Sequence, residues 1–128
     1  MDICIAIALS GSVLLRVPSP LTLAWTHSVE HFAIEEDWSA SADGLQLREV
    51  RSEGLGAGVD IPVDAQHVGP WWRFSPVLPP QRELVLANSR FASGYRACWA
   101  GHCERLADRI GAHDHPLVLS ACPGEAAR

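Results

Sequence analysis

Asp43-Gly44 stands between two segments of alternating hydrophobicity, and this arrangement restricts the chain more than any other feature. Over residues 31–41, Phe32, Ile34, Trp38 and Ala40 fall on one side of an extended strand. Leu45 to Arg51 then reads as the returning strand. Aspartate-glycine is a hairpin signal because a two-residue turn needs positive φ, which glycine adopts without steric cost. Upstream, Leu21, Leu23, Trp25 and His27 alternate with Thr22, Ala24, Thr26 and Ser28, so another strand precedes the hairpin.

The same grain runs through the rest of the chain. Cys4 to Leu9 and Val13 to Val17 are short apolar runs separated by Ser-Gly-Ser, and read as a first hairpin. Pro18 and Pro20 then break the chain. Gly54, Gly56 and Gly58 mark a loop closed by Pro62, and the prolines at 76, 79 and 80 form another connection. Trp71, Trp72 and Phe74, then residues 83–87, 94–99 and 117–121, supply later strands. Residues 103–110 are the one stretch expected to be helical. Many short strands with regular turn signals predict an all-β fold, a small antiparallel sandwich or barrel with at most one short helix near residues 103–110. At 128 residues the chain has material for one domain, assigned to residues 1–122, with a frayed tail over 123–128.

Composition narrows the function. The ten basic residues are all arginine and face 15 acids, for a net charge of −5. Nucleic-acid binding needs a basic patch, so nucleic acid is not an expected partner. The apolar run from Ile3 to Leu15 is shorter than the roughly 20 residues that cross a bilayer. Asp2 stands where a signal peptide would carry positive charge, so the expected compartment is cytoplasmic by default, with the periplasm left open. Of the cysteines at 4, 98, 103 and 122, no pair forms a C-x-x-C motif. Cys98 and Cys103 are near enough to close a small disulfide loop in an oxidising compartment, and separate thiols are the alternative.

The densest polar chemistry lies in Trp25-Thr-His-Ser-Val-Glu-His31 and the following Glu35-Glu-Asp-Trp38. His27-x-x-Glu30-His31 matches the H-x-x-E-H pattern of zinc peptidases, in which a helix puts both histidines on one face. A helix over Thr26 to Trp38 also fits part of the spacing, but the alternation and the β-branched and aromatic content favour a strand. A strand separates the two histidines by about 13 Å. The metal-dependent hydrolase using His27 and His31 is therefore the lesser alternative, and no cofactor is expected.

The hairpin register supplies the preferred site. With Asp43 and Gly44 as the turn, Trp38 faces Glu49 and Glu36 faces Arg51. Glu36 then lies on the core face with Phe32, Ile34 and Trp38, where a carboxylate must be paired or neutralised. Arg51 and His27 are its expected partners. The candidate binding cluster is thus His27, Ser28, Glu30, Glu36 and Arg51, with Gly56 and Gly58 as a rim whose amides could cradle an anion. A structural network that holds strand register would use the same residues. Trp71 and Trp72 are a candidate partner surface, one facing the core and the other solvent, because neighbouring strand residues point oppositely.

These residues also carry a resemblance. Trp25-Thr-His-Ser-Val-Glu30, Glu35-Glu-Asp-Trp38, the Gly56-Ala-Gly58 loop and Trp71-Trp72 resemble DUF1850, a bacterial family, from about Leu21 to Cys122. Relatives commonly carry lysine where His31 stands, which counts further against the metal motif. The resemblance implies no catalytic residues. It implies an accessory or binding role beside the membrane subunit of a TAXI-type tripartite ATP-independent periplasmic (TRAP) transporter, with a small solute as ligand. A purely structural docking domain is the remaining alternative.

Overall fold

A computed structural model describes residues 1–8, 10–26, 31–54, 61–86, 94–111 and 115–123. The strands are β1 (Asp2–Ile7), β2 (Val13–Pro18), β3 (Leu21–Thr26), β4 (Ala33–Ser41), β5 (Gly44–Ser52), β6 (Gln66–Val68), β7 (Trp71–Phe74), β8 (Leu84–Leu86), β9 (Arg96–Trp99), β10 (His102–Arg105) and β11 (Leu117–Ala121), with one helix, α1 (Leu106–Ile110). They form a four-stranded sheet, β2-β1-β11-β8, and a seven-stranded sheet, β10-β9-β3-β4-β5-β7-β6. All the pairings are antiparallel. The protein is all-β, as expected, and a two-sheet sandwich.

Period-two alternation builds the core from both sides. Ile3, Ile5, Val17, Leu86, Leu117 and Leu119 of the small sheet face Leu21, Leu23, Ile34, Trp38, Leu45, Leu47, Val50 and Ala97 of the large one. β11 lies over β4 and β5, and β1 over β4. Each large apolar side chain buried this way contributes roughly 1.5–3 kcal/mol. Two disulfides staple the sandwich. Cys4–Cys122 joins the ends of the described chain across 118 residues, and Cys98–Cys103 links directly paired positions of β9 and β10.

The helix is shorter than expected. Residues 103–105 belong to β10, because Ala100 (φ 50°) and Gly101 (φ 77°) form a tight turn that returns the chain alongside β9. Only Leu106–Ile110 is helical, and it buries Leu106 against the core. Strand β6 had no sequence signal; it is three exposed residues held by pairing to β7.

The central hairpin forms with a different register from the expected one. Ser41 pairs with Gly44, so Ala42 and Asp43 make the turn. Gly44 (φ 121°) is required for another reason: a Cβ there would lie 2.5 Å from the Gln81 carbonyl oxygen. That close approach arises because Leu45 and Gln81 exchange two backbone hydrogen bonds of 2.7 Å. Further along, Trp38 pairs with Leu47 and Asp37 with Glu49, which leaves Arg48 as a bulge. The earlier turn shifts register by two and preserves faces, and the bulge takes one residue back. The net odd shift sets Glu36 opposite Val50 and Arg51 opposite Glu35.

Candidate functional site

The expected Glu36–Arg51 pair is not formed, since the bulge places the two side chains on opposite faces of the sheet. Glu36 does lie on the core face, between Leu23 and Val50 of the neighbouring strands. Its partner is Trp38, whose indole Nε1 donates to Glu36 Oε1 at 3.3 Å. Burial, against the weaker pull of that hydrogen bond, holds the Glu36 carboxyl above its ordinary value. Burial first, and the charge of Glu36 second, raise the Tyr95 phenol.

Arg51 anchors a network on the outer face. Its Nε donates to Glu35 Oε1 (2.9 Å), and its terminal nitrogens grip both Asp37 oxygens at 2.8 Å. It also binds Glu49, which Arg73 of β7 holds from the other side at 2.7 Å. Thr22 on β3 donates its hydroxyl to Asp37 at 2.7 Å. Hydrogen bonding to Arg51 is the main cause that holds Asp37 below the usual aspartate range, against the effect of burial. The same bond to Asp37 drives the Arg51 guanidinium upward. A guanidinium so fully engaged fastens β4 to β5, with Arg73 extending the network to β7 through Glu49, and has little left to offer a ligand.

The strand pairings set one row across this face: Arg105, Arg96, Ala24, Glu35, Arg51, Arg73 and Gln66, one residue from each strand of the large sheet. Ala24 is the small member. With Thr26 and Ala33 it floors a depression of about 250 Å³, rimmed by Glu35, Glu53, Trp71 and Arg96. That volume lies below the range of pockets for drug-sized ligands, so the recess suits a smaller one. Glu53 is positioned by the backbone: its Oε1 accepts from Ala33 N–H at 2.8 Å, and its own N–H donates to Ala33 O at 3.0 Å. A second recess near β6 is lined by Glu49, Asp64 and Arg73, but there the arginine is already paired.

Of the expected site residues, His27, Ser28, Glu30, Gly56 and Gly58 lie outside the described residues. Thr26, the residue before His27, lines the outer-face recess. His31 is exposed, with a left-handed φ of 59°, and residues 33–38 belong to strand β4, not to the later part of the alternative helix over Thr26 to Trp38. Among the described residues no group of three His, Cys, Asp or Glu side chains is placed to hold a metal ion. Trp71 and Trp72 point to opposite faces, as alternation demands. Trp71 rims the recess, while Trp72 stacks flat on His67, with centroids 4.3 Å apart. Phe74, not either tryptophan, packs against the core.

Sequence analysis placed Glu35 in the dense polar stretch but gave it no site role, and did not single out Ala24, Ala33, Glu53 and Arg96. Ala24 and Thr26 were visible as the face opposite Leu21, Leu23 and Trp25. Arg96 and Glu53 carried no signal, because β9 and β5 are brought to that face only by strand order.

The molecule is thus a disulfide-stapled, two-sheet β-sandwich with a small mixed-charge recess on the outer face of its larger sheet. The chain belongs to the DUF1850 family, described as a domain of unknown function, which it matches over residues 21–106. The match runs from the start of β3 to the first residue of α1, so it takes in the whole seven-stranded sheet and β8. It stops short of Cys122, where the resemblance was expected to end. Comparison with curated proteins and with solved structures finds no match. Among the described residues no helix is long and apolar enough to cross a membrane.

Proposed function

We propose that this chain is an accessory, small-solute-binding domain that works in an oxidising compartment beside the membrane subunit of a TRAP-type transporter. The observation that carries the reading is the outer-face recess. Its floor is made of small side chains, and its rim brings together carboxylates, an arginine and a tryptophan. Pockets of this kind, with a few convergent polar groups on an apolar base, are the usual form of small-ligand sites.

Two disulfides support the compartment, since such bonds persist in secreted and periplasmic proteins and are rare in reducing cytosol. This argument outweighs the cytoplasmic default drawn from the N-terminal residues. The transporter partner rests on the family resemblance alone.

The test uses the oxidised full chain and follows tryptophan fluorescence, because Trp71 rims the recess. The chain is titrated with a panel of simple carboxylates, amines, sugars and amino acids, and Ala24→Leu is compared with the unaltered protein. Ala24 is on the solvent side of its strand, so leucine there fills the recess without entering the core. A ligand that binds the unaltered chain and is lost in Ala24→Leu supports the reading. Failure of the whole panel, or binding indifferent to Ala24→Leu, overturns it. Retention of the transporter's membrane subunit on the immobilised chain tests the partner separately.

A further inference from the structure

We infer that the ligand of this recess is a free α-amino acid, held as a zwitterion between Arg96 and the paired carboxylates of Glu35 and Glu53. The inference rests on the proposed binding function and specifies its substrate class.

The rim is divided by charge. Arg96 stands on β9, Ala24 on β3 and Glu35 on β4, in one row, and Glu53 extends from the end of β5 opposite Ala33. Arg96 and Glu35 face each other across an alanine, yet no ion pair joins them, and Arg96 is engaged in none among the described residues. Each carboxylate has one oxygen committed, Glu35 to Arg51 and Glu53 to the Ala33 amide. The second oxygen of each has no partner among the described residues. Arg105, paired with Arg96 on the neighbouring strand, adds a second exposed cation at the same end.

A plain organic anion would meet two carboxylates, and a plain amine would meet Arg96. A molecule that carries both charges satisfies each end. Adjacent strands are about 4.8 Å apart, so Arg96 and Glu35 are rooted about 10 Å apart. An α-amino acid carries its two charges about 3 Å apart, and charge-assisted hydrogen bonds add about 2.8 Å on each side. Side chains stand roughly perpendicular to a sheet, so a span of about 9 Å between the two charged heads is compatible with roots about 10 Å apart over Ala24. The methyl groups of Ala24, Ala33 and Thr26 and the Trp71 ring leave an apolar place for a modest side chain.

The experiment is calorimetric titration of the oxidised full chain with L-valine, against L-valinamide, N-acetyl-L-valine, 2-hydroxyisovalerate and glucose. L-Valine should bind, and each analogue lacking one charge should bind at least tenfold more weakly. Arg96→Gln should weaken L-valine at least tenfold while leaving L-valinamide unchanged. Glu53→Gln, which keeps an oxygen for the Ala33 amide, should weaken L-valine and spare N-acetyl-L-valine. Equal binding of the capped analogues, or indifference to Arg96→Gln, overturns the inference. If glucose or 2-hydroxyisovalerate binds in an Ala24→Leu-sensitive way and L-valine does not, the zwitterion is refuted and the binding function stands. If no compound binds, both fail.

Discussion

Removing the Cys4–Cys122 bridge should destabilise this protein far more than removing Cys98–Cys103. The two bridges close loops with sequence separations of 118 and 5 residues. Releasing a crosslink returns loop-closure entropy to the unfolded chain, about 2.1 cal/mol/K plus 1.5R times the logarithm of loop length. At 25 °C that gives about 4.9 kcal/mol for the long loop and about 2.1 kcal/mol for the short one. Unfolding entropy of about 2.1 cal/mol/K per residue amounts to about 0.27 kcal/mol/K for this chain. The expected losses of Tm are therefore about 18 °C and about 8 °C. The assay is thermal unfolding by circular dichroism of Cys4→Ala/Cys122→Ala and Cys98→Ala/Cys103→Ala under non-oxidising conditions. Because Cys4 and Cys122 are buried, reduction of Cys98→Ala/Cys103→Ala, which keeps the native sulfurs at 4 and 122, separates lost packing from lost constraint. Equal losses for the two variants, or a greater loss from the short loop, would refute the entropic reasoning.

Two further predictions concern the charged groups. Arg51→Ala should lower stability in urea by about 1–3 kcal/mol, because Glu35, Asp37 and Glu49 lose a shared donor in a partly buried setting. The lowered Asp37 group supplies stability that is present above the ordinary aspartate range and lost as pH falls through its folded-state value, so Arg51→Ala should flatten the acid limb of the stability curve. Glu36 has the opposite sign. Its raised folded-state value means that the folded protein holds the proton more tightly, so stability falls as pH rises from the ordinary glutamate value of 4.5 through the folded-state value. Glu36→Gln should abolish that fall and leave the variant the more stable at neutral pH; equal pH profiles by urea titration would show that Glu36 is not desolvated.

How far the sequence could be read depended on the kind of information a feature needs. The strands at Leu21, Ala33, Gly44, Trp71 and Leu117 were legible because their alternation is local and burial enforces it. So was the placement of Glu36 on the core face, which depends on parity along β4 alone. The partner of Glu36 was not legible. It turned on one bulge at Arg48 and on a turn placed one residue early, and an odd shift of register exchanges the two faces of a sheet. The Asp43-Gly44 signal correctly marked a hairpin, but the glycine answers to the backbone of Gln81, a contact 37 residues away in the chain.

The sequence by itself determined the all-β class, the main hairpin and the core-facing sides of β3 and β4, because each follows from side-chain period and turn chemistry within a few residues. Tertiary structure alone decided that Cys4 meets Cys122, that Arg51 serves three carboxylates, and that Arg96 faces Glu35 across Ala24. Those meetings depend on the order and register of strands in two sheets. Many strand orders bury the same apolar faces about equally well, and only the assembled sandwich selects among them.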